Sequence, residues 1–203
     1  TVFQPAHQFA FRIPNVFVEN MSFLASNRIV NKEEIYLLSP ELGWNYGGNM
    51  VYCFSLFERE GVFNIDAYRT VFENQIVVDV ENPSLLSFYN LEGESFANTL
   101  QFDLGYELFN RFDFKIAYKI SNSQTTFNGV RKIVPLVAKE HALLNLAYST
   151  NFDKWKFDIT TNYVGRRRVP YHPMLNYDWA NPFYLFNTQI SKRFRYFDIY
   201  LGV

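Results

Sequence analysis

Between 165 and 182 the sequence crowds Arg166, Arg167, Arg168, Tyr171, His172, Met174, Tyr177 and Trp179 into one stretch. Guanidinium groups grip anionic chelates, carboxylates or phosphates through forked hydrogen bonds. Aromatic rings add contact area at small entropic cost. Such a set captures a ligand rather than converting it. The arginines have two competing uses: holding the phosphates of a lipid surface, or bracing neighbouring loops. Trp44 and Tyr46 have a similar claim to ligand contact.

No other grouping supports catalysis. His7, His141 and His172 lie far apart, and none belongs to an H-x-x-x-H metal spacing. His141 opens a strand-like run and reads as structural. The pair Glu33–Glu34 reads as a solvated loop surface. Cys53 has no second cysteine to pair with, which excludes a disulfide framework or a multi-cysteine zinc site. Gly47–Gly48 lacks the G-x-x-x-x-G-K pattern of a phosphate loop. No metal or cofactor is expected, and the chain is not read as an enzyme.

The elements that position these residues follow from composition and period. The 203 residues carry 19 Lys plus Arg against 20 Asp plus Glu, a net charge of -1 that argues against nucleic-acid binding. An apolar share of 48% with 19% aromatics excludes a disordered chain. Thr1 to Ala10 does not read as a signal peptide. The longest apolar run, Met50 to Phe54, is far short of the roughly 18 residues a membrane helix needs. A membrane protein built from strands stays open.

Period-2 alternation is clear in the second half. Leu100, Phe102, Leu104 and Tyr106 alternate with Gln101, Asp103, Gly105 and Glu107. Phe112, Phe114, Ile116, Tyr118 and Ile120 alternate with Asp113, Lys115, Ala117 and Lys119. Ala142 to Ser149 and Trp155 to Tyr163 behave likewise. This spacing puts one set of side chains on each face of an extended strand, whereas a helix would mix them. Runs near 49–58, 62–73, 183–191 and 196–203 bring the expected count to about eight strands. Several approach the 9–11 residues with which a tilted strand crosses a bilayer.

The expected connections alternate in length. Short links fall at Arg59–Gly61, Asn110–Arg111, Asn151–Lys154 and Lys192–Arg195; long ones lie near 74–96, 121–137 and 164–182. Residues 1–47 read mostly as an extracellular loop, with Pro5, Pro14 and Pro40. Short–long alternation is the topology of an outer-membrane barrel with tight periplasmic turns. Aromatics flank every short link: Phe57 and Phe63, Phe109 and Phe112, Phe152 and Trp155, Phe194 and Tyr196. At one end of a barrel those rings form an interfacial belt; in a soluble sheet they would be cross-strand staples.

Four segments are similar to known ones. Ser39–Pro40–Glu41–Leu42–Gly43–Trp44–Asn45–Tyr46–Gly47 resembles the "PE…NYG" strand entry of TonB-dependent outer-membrane receptors, and Phe11 to Asn20 resembles the "R-x-P-N" loop before it. Phe88 to Ser95 resembles their "NLEG-S" entry, and Gly165 to Pro170 their "G-x-R-x-P" exit. The four occur in the family's order. The resemblance implies an all-β, antiparallel transmembrane β-barrel, of which residues 48–203 supply about eight strands of a larger whole. It further implies the C-terminal part of the barrel domain, without plug or TonB box, in a receptor of the bacterial outer membrane. Its partners would be outer-membrane lipid and lipopolysaccharide, a nutrient ligand such as an iron–siderophore chelate, and the TonB complex through the N-terminal part; nucleic acid is not among them. The residue patterns alone leave two alternatives: a passive porin-like or small enzymatic barrel, and a soluble carbohydrate-binding β-sandwich.

Overall fold

The computed structural model describes residues 1–31, 35–170 and 178–203. Tyr171 and His172, like Glu33, Glu34, Met174 and Tyr177, lie outside the described residues. The strands are β1 (Val2–Arg12), β2 (Ile29–Val30), β3 (Glu41–Leu56), β4 (Arg59–Asn74), β5 (Ile76–Asp79), β6 (Leu85–Asn90), β7 (Ser95–Phe109) and β8 (Phe112–Phe127). After them come β9 (Val130–Ile133), β10 (Glu140–Ser149), β11 (Trp155–Val164), β12 (Arg167–Arg168), β13 (Trp179–Ala180), β14 (Phe183–Arg193) and β15 (Asp198–Gly202). Two four-residue helices, α1 (Val16–Glu19) and α2 (Met21–Leu24), follow β1.

Nine strands form one open antiparallel sheet in the order β1-β3-β4-β7-β8-β10-β11-β14-β15, with β9 paired to the end of β8. Each strand thus pairs with its predecessor in the sheet, and successive connections fall at alternate ends. The eight expected runs all lie in this sheet. Four strands are longer than their alternation suggested: β3, β4 and β8 have 16 residues each and β7 has 15. Ser121 to Thr126, expected as loop, continues β8, because there both faces are polar and the alternating signal vanishes.

Residues 1–47 differ most from expectation. Val2–Arg12 pairs along its whole length with β3, from Val2 opposite Val51 to Arg12 opposite Glu41. Pro5 and His7 sit where apolar residues would have revealed the period. Proline is tolerated because β1 is an edge strand, where one row of N–H groups has no partner to serve. β3 itself begins at Glu41, and Gly43, Gly47 and Gly48 hide its first half. The long links also carry structure: 74–96 contains β5 and β6, and 121–137 contains β9.

Register assigns the faces. Phe114 lies opposite Tyr106 and Leu146, and Tyr148 opposite Phe112 and Phe157. Side chains on facing residues share one side of the sheet. One face therefore carries Met50, Tyr52, Phe54, Phe63, Ile65, Phe102, Leu104, Phe114, Ile116, Leu144, Leu146, Phe157, Ile159, Phe186 and Ile190. The other carries Asn49, Asp66, Gln101, Asp103, Lys115, Lys119, Asn145, Asp158, Asn187 and Gln189. On that side Asn49 Nδ2 donates to Asp66 Oδ1 at 2.7 Å, and Asn145 Nδ2 donates to Asp158 and to Thr160 Oγ1 at 2.8 Å.

Among the described residues no second layer covers the apolar face; Ile116, Phe157, Ile159, Phe186 and Ile190 are all exposed. The accessible surface is 13852 Å² for 24.0 kDa. A globular monomer of that mass exposes about 9,900 Å². The excess is that of a single-layer sheet.

The buried hydrophobic cluster lies elsewhere, in the long connections. Val16, Ile76, Val80, Leu86 and Phe88 are buried together, with Phe23, Leu24, Val30, Ile35, Leu38 and Val78 packed around them. The ribbon β2-β6-β5 builds this cap. Glu41 ties it to the sheet: its carboxylate accepts from Arg12 Nε at 2.6 Å and from the Ile76 N–H at 3.0 Å. Ser95 Oγ, at the start of β7, donates to Gln75 at 2.6 Å and lies 2.7 Å from Thr125 Oγ1.

The short turns share the opposite edge. Arg59 donates to Asn110 at 3.1 Å, Ser149 N–H to Arg111 O at 3.0 Å, and Arg193 N–H to Lys154 O at 2.9 Å. The first turn is Phe57–Glu58, both at positive φ, rather than Arg59–Gly61. Along this edge, on the apolar face, rings follow one another. Tyr52 stacks on Phe54 and Phe54 on Tyr106; Phe112 neighbours Phe109 and Tyr148; Phe157 neighbours Tyr148 and Trp155. Phe54 also lies over Gly61, where an added Cβ would fall 2.2 Å from its ring. Phe57, Phe152 and Tyr196 project freely from three turns, at 84%, 85% and 82% exposure.

Candidate functional site

The three arginines diverge. In the short ribbon β12-β13, Arg167 faces Ala180 and Arg168 faces Trp179. Alternation along an extended segment sends neighbouring side chains to opposite sides. Arg168 turns into the cap: Nη1 and Nη2 donate to the two Glu81 oxygens at 3.0 and 2.6 Å, and Nε donates to Ile133 O at 2.6 Å. Arg168 and Glu81 are only 13% and 15% exposed in their side chains, so this forked pair is largely out of water. Lys132 Nζ approaches the same carboxylate at 3.2 Å. Burial pushes the Glu81 carboxyl up, but hydrogen bonding and charge from Arg168, then Lys132, outweigh it and hold Glu81 below the usual carboxylate range. Of the two uses open to an arginine here, Arg168 is bracing loops. Arg167 stacks over Phe183 at 5.0 Å, and Arg166 is exposed.

Trp44 and Tyr46 are not brought to the arginines. Both project from the apolar face of β3 and stack with His7, at 5.1 and 5.3 Å. The Trp44 indole N–H donates to Glu73 at 2.7 Å.

A cleft absent from the sequence expectations opens in the cap. One face of β6, Leu86 and Phe88, enters the buried cluster, so Leu85, Ser87 and Tyr89 must face the other way. Opposite them stands the Asn128–Gly129 turn between β8 and β9, with positive φ at both residues as a two-residue hairpin requires. Between these walls lies a cavity of about 540 Å³ lined by Asn31, Asp79, Glu81, Asn82, Pro83, Leu85, Ser87, Tyr89 and Asn128. A second, of about 380 Å³, shares Tyr89 and Asn128 and reaches Leu37, Leu38, Asn90, Glu92 and Thr126. Both volumes fall in the range of small-molecule sites.

No protein-family model matches this chain, and no curated protein resembles it in sequence.

The cleft is held by its own hydrogen bonds. Buried Asp79 accepts from the Glu81 N–H at 2.9 Å, from Tyr89 Oη at 3.1 Å and from Asn128 Nδ2 at 2.9 Å. Asp79 is thus spent on fixing Tyr89 and the Asn128 turn. No group of three His, Cys, Asp or Glu able to hold a metal occurs among the described residues. The lining offers a phenol ring, amides and a hydroxyl, groups that suit binding through hydrogen bonds and ring contact. The signals that could have found it are Asn128–Gly129, a hairpin dipeptide, and the apolar–polar alternation from Leu85 to Tyr89.

Proposed function

We propose that this chain is part of a transmembrane β-barrel in a bacterial outer membrane, belonging to a TonB-dependent receptor that binds a nutrient such as an iron–siderophore chelate outside and passes it inward. No bond is made or broken; the work is capture followed by gated passage. In this reading the face with Phe114 and Phe157 meets hydrocarbon, and the face with Lys115, Asn145 and Asp158 lines water.

The observation that carries the reading is the exposed apolar face of a long-stranded antiparallel sheet, bordered along the short-turn edge by stacked rings. A soluble sandwich buries such a face against a second layer, at about 25 cal/mol for each Å² covered; here that area is open. From Phe112 to Ile120 the strand rises roughly 26 Å at about 3.3 Å per residue, the scale of the lipid-facing band of outer-membrane barrels. Aromatic girdles at both borders are usual there, and Trp44 with Tyr46 occupies the border opposite the Phe54–Tyr106 end. The folded cap then stands on the outside, where long loops meet ligands.

The test has two stages. Cells expressing the whole protein should yield it in the outer-membrane fraction, soluble only with detergent and shifted in gel mobility by boiling. Recovery as a soluble protein without detergent would overturn the barrel. Uptake of the nutrient should then cease when the TonB complex is deleted; uptake that persists would leave a barrel but remove the receptor class.

A further inference from the structure

We infer that the cleft around Tyr89 binds a neutral, polyhydroxylated ligand, an oligosaccharide in chemical class, and that the arginine run does not select the cargo. The inference deepens the receptor reading and rests on it only for placing the cleft outside the cell.

Charge accounting leads there. An anionic chelate needs unspent cations, and among the described residues those nearest the cleft are engaged: Arg168 forks onto Glu81, Lys132 joins it at 3.2 Å, and Arg28 Nη1 donates to Val80 O at 3.1 Å. The remaining charged lining, Asp79 and Glu92, is negative and would repel an anion. A cationic ligand is disfavoured for the complementary reason: the Asp79 oxygens already accept three internal donors, and Glu81 already faces two cations. Apart from the exposed Glu92 at the rim of the second cavity, the groups left over are uncharged. Ser87 lines the cavity opposite Asp79 in the β5-β6 register, and its hydroxyl makes no hydrogen bond among the described residues. Asn82 uses its oxygen on the Ser84 N–H at 2.9 Å, which leaves its amide N–H₂ to donate. Asn128 uses its N–H₂ on Asp79, which leaves its carbonyl to accept.

Donors and acceptors of both kinds without net charge match sugar hydroxyls, each of which donates and accepts. The Tyr89 ring, common wall of both cavities and pinned through its hydroxyl, offers a flat apolar surface to the C–H face of a pyranose at little entropic cost. Two cavities that share Tyr89 and Asn128 in their lining suit more than one sugar unit.

The experiment uses the whole protein in detergent, first shown to be assembled by its heat-dependent gel mobility. It is applied to an array of neutral and acidic oligosaccharides, and separately titrated with ferric citrate as the anionic probe. Neutral oligosaccharides should bind and ferric citrate should not. Ser87→Ala should weaken the strongest neutral binder about five- to tenfold, the loss of one hydrogen bond, and Tyr89→Phe should weaken it through release of the ring. Arg166→Ala should leave it unchanged. Silence across the array by assembled protein, or binding indifferent to both cleft variants, overturns the inference, as does ferric citrate binding lost in Arg166→Ala. Sugar binding by a protein that proves soluble without detergent would keep the cleft and remove the membrane reading, so the two fail separately.

Discussion

The sheet and its cap hold themselves together by different means. In the cap, Leu86 and Phe88 are wholly buried against Val16, Ile76 and Val80, as in any soluble domain. In the sheet, Phe186, Ile159 and Ile190 stand exposed on strands held by backbone ladders to their neighbours. The cap carries its own interior. The sheet's apolar face is stabilised only when something apolar covers it, which in the proposed reading is hydrocarbon. Between the edge strands the ladders satisfy the backbone, so there the side chains decide which medium suits the sheet.

The largest effect tests that contrast at one residue. Phe114→Asp puts a carboxylate near the middle of the apolar face, where charge is costly in a depth-dependent way. The variant should fail to reach the outer-membrane fraction and should lose its heat-dependent gel shift. Normal yield and normal mobility would remove hydrocarbon as the medium of that face. The cap offers the counterpart. Phe88→Ala should cost about 3–5 kcal/mol as a buried aromatic truncation, yet be felt locally. Hydrogen exchange should rise in β5 and β6 and stay slow in β8 near Phe114. Uniform loss of protection across both regions would mean they are one cooperative unit.

The same contrast governs what could be read from the sequence. Strands whose two faces differ in polarity announce themselves, which is why Phe112 to Ile120 and Trp155 to Tyr163 are unambiguous. β1 was hidden by Pro5 and His7 on its apolar side, and Ser121 to Thr126 by being polar on both. The cap was illegible because its order comes from contacts far apart in the chain: Arg168 reaches Glu81 across 87 positions and Asn128 reaches Asp79 across 49. A run of three arginines says that charge is present. Only the fold says that Arg168 is already neutralised and that Tyr89, inconspicuous in sequence, stands at the open cleft.

Arg168→Ala sharpens the account of the cap. It removes a forked, largely buried pair and leaves Glu81 with Lys132 alone, at a cost of roughly 1.5–3 kcal/mol by the usual worth of hydrogen bonds to charged groups. The pH dependence follows in sign. Glu81 is held below its ordinary pKa, so its stabilisation is full above that value, near 4.3, and is lost as pH falls through the lower folded-state value. Protection of β5 and β6 should therefore decline below about pH 4 in the parent, and this component should flatten in Glu81→Gln. An unchanged acid profile in that variant would remove Glu81 as the acid-sensitive brace.

The smallest effect is the most discriminating, because it concerns the residue next to the largest. Lys115 lies on the polar face between Gly105 and Asn145 in register. The Asn145 amide is engaged with Asp158 and Thr160 rather than with the lysine. Lys115→Ala should change stability by no more than about 0.5 kcal/mol, as exposed substitutions away from special features do, and assembly should be normal. Lys115→Asp should assemble too, since on that face a carboxylate replaces one hydrated charge with another. One residue along the strand, the same aspartate at 114 should abolish assembly. If aspartate is equally harmful at both positions, the two faces do not meet different media, and alternation in β8 reflects only cross-strand pairing. If it is harmful at 114 alone, the difference is a direct measure of what each face touches.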